Sequence, residues 1–200
     1  MNGTVIILNG ISSSGKTTLA RHLQQEAETD LLTFSRDEFC WMLAKGFPVA
    51  EDRVVFERLA STMLPAYNRS IRALSETGNH IICDLIIKSV GGLDDILRCT
   101  HGLPAFFIGV HCDIAEVEKR EARRPNRAVG NGRSQLAMAH RYRCYDLEVD
   151  TTETSPSACA LRILQHIDSG QPPSALARLR KIRALERGSA HPEKDIVDTE

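Results

Sequence analysis

The chain has 200 residues, of which 42% are hydrophobic, which is enough apolar material for one α/β domain with its own core. Its longest apolar runs are far shorter than the roughly 20 residues that cross a bilayer. The 25 basic and 26 acidic side chains nearly cancel, so the composition indicates neither a nucleic-acid-binding nor a membrane-binding protein. No basic flank or cleavage motif accompanies the first apolar run, and we expect a cytoplasmic protein with a small-molecule partner.

The cysteines and histidines do not indicate a metal site. The six cysteines contain no C-x-x-C pair, and the seven histidines form no H-E-x-x-H motif. Scattered cysteines of this kind are typical of free, mostly buried thiols. We therefore assign no metal to either residue type.

The first part of the chain alternates between short apolar runs and helical patterns. Residues 4–8, "TVIIL", predict a strand buried on both faces, and a helix is expected over 16–26. A second strand is expected at 31–35, with Asp37 near its end at the start of a helical stretch. Apolar residues with a period near 3.6 then predict one bent helix, or two helices, over 51–76.

The alternation continues through the middle of the chain. A third buried strand is expected in "HIICDLII" and runs through Asp84, followed by a short helix in "LDDILRC". A fourth strand at 105–112 leads into a helix at 113–124, which Asp113 is suited to cap.

The last elements follow a polar, glycine-containing loop after Pro125. We expect a short helix through His140, a strand near "DLEVDTT" and a helix in "SPSACALRILQHI". Residues 170–200 differ in character, with a basic amphipathic helix in "ALARLRKIRALER" and a polar tail. Its apolar stripe requires cover, either from the domain or from a second subunit, so a homo-oligomer stays open. The predicted division is a domain at 1–169 and an appended segment at 170–200.

This order of elements predicts a three-layer α/β fold around a mostly parallel, five-stranded sheet. Ligands of such folds bind at the carboxyl ends of the strands. The residues that follow the first three strands are therefore the first candidates for a site.

The strongest motif is "GISSSGKT", residues 10–17, which fits G-x-x-x-x-G-K-[ST] between a strand and a helix. Its glycines let backbone N–H groups curl around phosphate oxygens, and the following helix dipole favours the same charge. Lys16 is expected to bind the β- and γ-phosphates, and the Thr17 hydroxyl to bind Mg²⁺. The predicted nucleotide-binding residues are Gly10, Ser12, Ser13, Ser14, Gly15, Lys16, Thr17 and Thr18.

The rest of the sequence favours a kinase among phosphate-loop proteins. The D-x-x-G and N-K-x-D segments of a signalling GTPase are missing from the sequence. Asp84, after an apolar strand, is a candidate for the metal-side carboxylate, with a turn role as the alternative. Asp37 could accept the proton of a substrate hydroxyl, or could instead cap a helix.

Positive charge for the transferring phosphoryl group is concentrated in "KREARRPNR", residues 119–127. Such a segment can close over phosphates and exclude water, although a solvated helix face has the same composition. The arginines that we assign to this role are Arg120, Arg124 and Arg127.

Together these motifs resemble the chloramphenicol phosphotransferase family of phosphate-loop kinases over residues 4 to about 168. The resemblance is carried by "IILNGISSSGK", "FSRDEF", "HIICD", "GVHCD" with "REARRPNR", and most specifically by "YDLEVDTT". It implies an adenylate-kinase-like fold, ATP with Mg²⁺, and transfer to a primary hydroxyl of the drug. Asp37 matches the family's proposed base and Arg120, Arg124 and Arg127 its lid arginines.

The resemblance also has limits. Gln135, His140, Tyr145 and Asp146 match the family without a role that chemistry assigns. Leu85 follows Asp84 where the family pattern has a second aspartate, the stretch between 41 and 56 is shorter, and the helix at 175–187 has no counterpart.

The sequence therefore predicts an ATP- and Mg²⁺-dependent O-phosphotransferase with chloramphenicol as the leading acceptor. Lys16, Asp37 and the three arginines form the predicted catalytic set, and Thr17 with Asp84 the metal site. A kinase of another small alcohol is the first alternative. A nucleotide-binding module without phosphoryl transfer is the second.

Overall fold

The computed structural model describes residues 1–43, 53–123 and 129–189 of the chain. These residues form five strands and eight helices. The strands are β1 (Val5–Asn9), β2 (Leu31–Ser35), β3 (His80–Leu85), β4 (Ala105–His111) and β5 (Leu147–Asp150). The helices are α1 (Lys16–Glu26), α2 (Arg36–Trp41), α3 (Arg53–Glu76), α4 (Val90–Cys99), α5 (Ile114–Ala122), α6 (Asn131–Ala139), α7 (Pro156–Asp168) and α8 (Ala175–Ser189).

The five strands form one sheet in the order β2-β3-β1-β4-β5. All its pairings are parallel, which confirms the predicted fold class. In the register of the sheet, Asp84 lies between Leu8 of β1 and Ser35 of β2. The carboxyl ends of β1, β2 and β3 therefore meet at one edge, where the three predicted motifs follow their strands.

The sheet separates two apolar cores, because successive residues of a strand face opposite sides. Val5 and Ile7 of β1 belong to the core under α3, α4 and α8. Ile6 and Leu8 belong to the core under α1 and α7. All five residues of β1 are buried, as the unbroken apolar run predicts for a strand covered on both faces.

Two predicted helix boundaries have clear local causes. Asp113 caps α5, since its Oδ1 accepts the Ala115 N–H at 2.8 Å. Gly78, at φ 90°, turns the chain out of α3, a conformation that favours glycine. Helix α3 itself continues through Pro65 as a single element, which favours one helix over the alternative of two.

Helix α8 packs against the domain, on α4 and β4. Ala175, Leu176 and Leu179 are among the buried residues of the first core. Arg183 pairs with Asp94 of α4 at 2.9 Å. The apolar stripe of the basic helix is thus covered in part by the chain's own domain, while the polar tail at 190–200 lies outside the described residues.

The structure also bears on the cysteines, on metal ligands and on membrane-spanning helices. All six cysteines are free. In the described part of the chain, no group of three or more His, Cys, Asp or Glu side chains is arranged to hold a metal. No helix in these ranges is long and apolar enough to span a membrane.

Candidate active site

The phosphate loop connects β1 to α1 through a tightly packed turn. A Cβ on Gly10 would lie 2.3 Å from the Val110 carbonyl oxygen, so no side chain fits there. Gly15 precedes α1 in the left-handed conformation at φ 91°, and Ser13 adopts φ 62°. A left-handed non-glycine residue is uncommon and is concentrated at ligand-binding turns.

Two polar side chains of the loop are buried without a protein partner. The hydroxyl oxygens of Ser13 and Ser14 have no hydrogen bond to any other described group. A buried hydroxyl without a partner costs stability unless a ligand or water satisfies it. This cradle of glycine backbone and unsatisfied hydroxyls fits the phosphates of a nucleotide.

Lys16, Thr17 and Asp84 form a compact charged cluster at the entrance to α1. Lys16 is only 7% exposed; its Nζ donates to the Ile11 carbonyl at 3.0 Å and lies 3.7 Å from Asp84 Oδ1. The Thr17 hydroxyl donates to Asp84 Oδ2 at 2.6 Å. A hydroxyl and a carboxylate at this distance are the oxygen ligands that Mg²⁺ prefers, so the residues present fit the expected metal.

Asp37 lines the same pocket as the phosphate loop, together with Arg36 and Asp84. It lies in the first turn of α2 and is exposed. The N-cap of that helix is Ser35, whose hydroxyl oxygen accepts the Glu38 N–H at 3.4 Å. The capping role that competed with a catalytic role for Asp37 is therefore filled by another residue.

Arg120 is the one member of the predicted arginine set inside the described residues. Its guanidinium donates to the Thr151 carbonyl oxygen at 2.7 Å and to Glu116 at 3.0 Å. Thr151 in turn donates its hydroxyl to the Ser14 carbonyl at 2.7 Å. Arg120 thus borders the phosphate loop through Thr151. Arg124 and Arg127 lie outside the described residues.

Two further residues of the site were missed from the sequence. Asn9, at the end of β1, donates to the Ala139 carbonyl at 2.6 Å and to the Tyr145 hydroxyl at 3.0 Å, and accepts the Ile87 N–H at 3.0 Å. Thr151 directly follows β5, within "YDLEVDTT". Asn9 could have been recognised from the sequence, because it is a polar residue at the end of an otherwise apolar strand.

Two of the residues that match the family pattern, His140 and Tyr145, lie beside Asn9. The Tyr145 hydroxyl lies 2.7 Å from His140 Nδ1, and the His140 ring stacks on His111 with centroids 4.3 Å apart. Burial, with the positive charge of Lys16 and neighbouring groups, lowers the pKa of His140 to about 4, so this imidazole is neutral near pH 7. Asp146 accepts the N–H groups of Phe107 and Ala175, and so ties α8 to β4.

A parallel sheet with a phosphate loop after β1 and a carboxylate at the next-to-last position of β3 is the arrangement of phosphate-loop proteins, and solved structures of P-loop kinases share this fold. An APS kinase of Mycobacterium tuberculosis, in complex with AMPPNP and APS, superposes with a TM-score of 0.65 over 84% of this chain and 98% of its own, at 14% identity. A shikimate kinase from Acinetobacter baumannii gives a TM-score of 0.56 over 86% and 96%, at 16% identity. A tunicamycin resistance protein of Deinococcus radiodurans gives 0.62 over 82% and 95%, at 18% identity.

The chain belongs to the chloramphenicol phosphotransferase-like protein family, whose model matches residues 3–168. A curated relative of Mycobacterium tuberculosis, named "Putative O-phosphotransferase", is 30% identical over 90% of this chain and 88% of its own length. Family and fold together support a P-loop O-phosphotransferase of small molecules. The family match ends before α8 begins.

Proposed function

We propose that the protein transfers the γ-phosphoryl group of ATP to a hydroxyl of a small molecule, with Mg²⁺, and that a chloramphenicol-type antibiotic is the acceptor. The observation that carries the proposal is the shared pocket of Lys16, Thr17, Asp84 and Asp37. A nucleotide-binding module needs the first three residues. The exposed carboxylate of Asp37 beside them is required only when a second substrate must lose a proton.

In the proposed reaction each residue acts at a defined point. Backbone N–H groups of the phosphate loop that have no protein acceptor, together with Lys16 Nζ, hold the phosphates and offset their charge. Asp37 orients the acceptor hydroxyl and takes its proton as the new oxygen–phosphorus bond forms and the bond to the leaving ADP oxygen breaks. Arg120, Arg124 and Arg127 are the proposed cationic residues for the developing charge.

Thr17 and Asp84 are the proposed protein ligands of Mg²⁺. The metal, when bound, neutralises the phosphate oxygens. In the described structure Thr17 donates its hydroxyl to Asp84, so the two side chains lie close enough to hold one ion together. The Thr17 oxygen could bind the ion through a lone pair while its proton stays directed at the Asp84 carboxylate.

The acceptor is proposed mainly from the family. Trp41, the last residue of α2, and Met42, which follows it, are exposed, and residues 44–52 lie outside the described ranges. Their apolar surface suits an aromatic alcohol such as chloramphenicol. A kinase of another small alcohol remains the second candidate, because Leu85 departs from the family pattern.

An acceptor panel tests the proposal. Purified protein with ATP and Mg²⁺ is incubated with chloramphenicol and with unrelated sugar and polyol alcohols, and products are detected by mass. We expect one added phosphoryl group on chloramphenicol and none with Lys16→Ala. Transfer to another alcohol alone would establish the kinase and replace the acceptor. ATP binding without transfer to any acceptor would favour the binding module.

A further inference from the structure

Helix α6 makes a direct hydrogen bond to the phosphate loop. The Gln135 side-chain oxygen accepts the backbone N–H of Ser12 at 2.8 Å. Both residues are nearly buried, with exposed fractions of 8% and 2%. The Gln135 amide nitrogen donates in turn to Asn131 at 3.1 Å, which fixes the orientation of the side chain. A loop N–H is therefore held by a side chain from another element.

The backbone of α6 also packs against the same loop residue. A Cβ on Gly132 would lie 2.6 Å from Val117 Cγ1 and 3.0 Å from the Ser12 carbonyl oxygen. Only glycine allows α6 to approach both α5 and the loop so closely. Ser12 thus contacts α6 through its N–H group and its carbonyl oxygen.

A buried carboxylate fixes the start of α6. Glu121, at the end of α5, has no exposed surface, and its two oxygens accept the N–H groups of Gly130 and Gly132, each at 2.8 Å. Gly130, the N-cap of α6, offers no side-chain cap. Glu121 supplies that cap from outside the helix, where a negative charge also complements the helix dipole.

These contacts connect α5 to the phosphate loop through α6. We propose that Gln135 is a positioning residue for nucleotide binding, which orients the Ser12 peptide of the phosphate loop, and that Glu121 holds the helix that presents it. Ser12 precedes Ser13, whose left-handed backbone is costly for a non-glycine residue. Fixing the preceding peptide reduces the conformational entropy that nucleotide binding must otherwise offset. This inference rests on the proposed nucleotide site.

The test removes the acceptor oxygen at nearly constant shape. Gln135→Met keeps the length of the side chain but cannot accept the Ser12 N–H. Because one hydrogen bond contributes little net free energy, we expect ATP affinity and the KM for ATP to weaken about 3- to 10-fold, with kcat within about twofold. Glu121→Gln, which can accept only one of the two N–H groups, should weaken ATP binding in the same direction.

The matched control is Arg133→Met. Arg133 also joins α6 to α5, through an ion pair with Glu118 at 2.7 Å, but its side chain is 60% exposed. We expect its ATP affinity to equal that of the parent. Amide exchange of the segment 10–15 gives a second readout: exchange should accelerate in Gln135→Met and stay unchanged in Arg133→Met.

The outcomes separate this inference from the proposed function. A merely structural role for Gln135 would lower kcat through loss of folded enzyme at unchanged KM, and that result would overturn the positioning role. Equal ATP affinity in Gln135→Met and the parent would overturn it as well, while the kinase proposal would stand. If the parent itself bound no ATP, both would fall. Glu121→Gln and Gln135→Met should combine less than additively, since they act through one contact.

Discussion

Asp37 is the residue whose chemistry distinguishes a kinase from a nucleotide-binding module. It lies in the phosphate-loop pocket, and the cap of α2 is provided by Ser35. Its carboxylate is therefore not needed to begin the helix. The proposed role of Asp37 toward the acceptor hydroxyl is therefore compatible with the way the helix begins.

We expect Asp37→Asn to lower phosphoryl transfer by roughly 10²–10⁴-fold at nearly unchanged ATP affinity, because asparagine keeps the shape but cannot take the proton. Turnover and ATP binding would be measured on the same preparation. The matched control is Glu38→Gln, the next acidic residue in the first turn of α2, which should retain activity. Equal losses in both variants would point to helix electrostatics, and full activity in Asp37→Asn would refute the base assignment.

His140 gives a pH-dependent prediction. Its surroundings are the His111 ring, the Tyr145 hydroxyl and the charges of Lys16 and Arg143. Burial is the main cause that lowers its pKa to about 4, from an ordinary value near 6.5. The unfolded chain therefore binds a proton first as the pH falls, so stability decreases from about pH 6.5 to about pH 4 and does not change further below it from this group.

Replacing His140 should remove part of this dependence. We expect His140→Gln to flatten the free energy of unfolding between pH 6.5 and pH 4, as measured by urea titration at several pH values. His101→Gln, at an exposed histidine, is the control and should keep the slope of the parent. An unchanged slope in His140→Gln would mean that the imidazole is not neutral in the folded protein.

The strands and their succession along the chain were predictable from the sequence. Each strand is a short apolar run that ends at a polar residue or a glycine. The position of Asp84 followed from the same pattern, since "HIICD" ends where the sheet does. The contacts of Asn9 and the contact of Gln135 with Ser12 were not predictable, because these partners lie between 78 and 136 residues away in sequence. Local periodicity contains no information on which loop a side chain reaches.

For helix α8, too, the local sequence predicted the helix but not the residues that it contacts. The stripe of leucines in "ALARLRKIRALER" predicts an amphipathic helix that needs cover. The cover depends on the Asp146 carboxylate at its start and on Asp94 of α4, which pairs with Arg183. Neither partner could be recognised from the spacing of the leucines. The division at residue 169 stays a prediction: the family match ends at residue 168, and three residues of α8 belong to the first core.

Helix α8 should contribute to stability through its buried face alone. Leu179 is 1% exposed and Leu185 is 72% exposed on the same helix. We expect Leu179→Ala to reduce the free energy of unfolding by about 2–5 kcal/mol, since it leaves a cavity in the core. Leu185→Ala should change it by less than about 0.5 kcal/mol. Comparable losses in both variants, measured by urea unfolding, would indicate that a second subunit covers the outer face.

The phosphate loop lies at the carboxyl edge of the sheet, between the end of β1 and the start of α1. Its strand, β1, contributes alternate residues to the two cores, and α1 begins at Lys16. The loop is held from the side by Thr151 and Gln135. Because the loop is attached to elements on both sides of the sheet, the binding energy of a ligand there should stabilise the entire fold rather than one segment.

This coupling predicts a thermal shift that depends on the loop lysine. At ATP–Mg²⁺ concentrations about 100 times Kd, binding should stabilise the folded protein by about 2.7 kcal/mol, which raises the Tm of a domain of this size by roughly 5 to 10 °C. Lys16→Ala should show little shift, because it lacks the charge that the phosphates require. Asp37→Asn should shift like the parent, since the role proposed for its carboxylate concerns the acceptor and not the nucleotide. Chelating Mg²⁺ should reduce the shift of the parent through loss of the Thr17 and Asp84 contacts. A full shift in Lys16→Ala would show that ATP binds elsewhere on the molecule, and the phosphate-loop assignment would then fail.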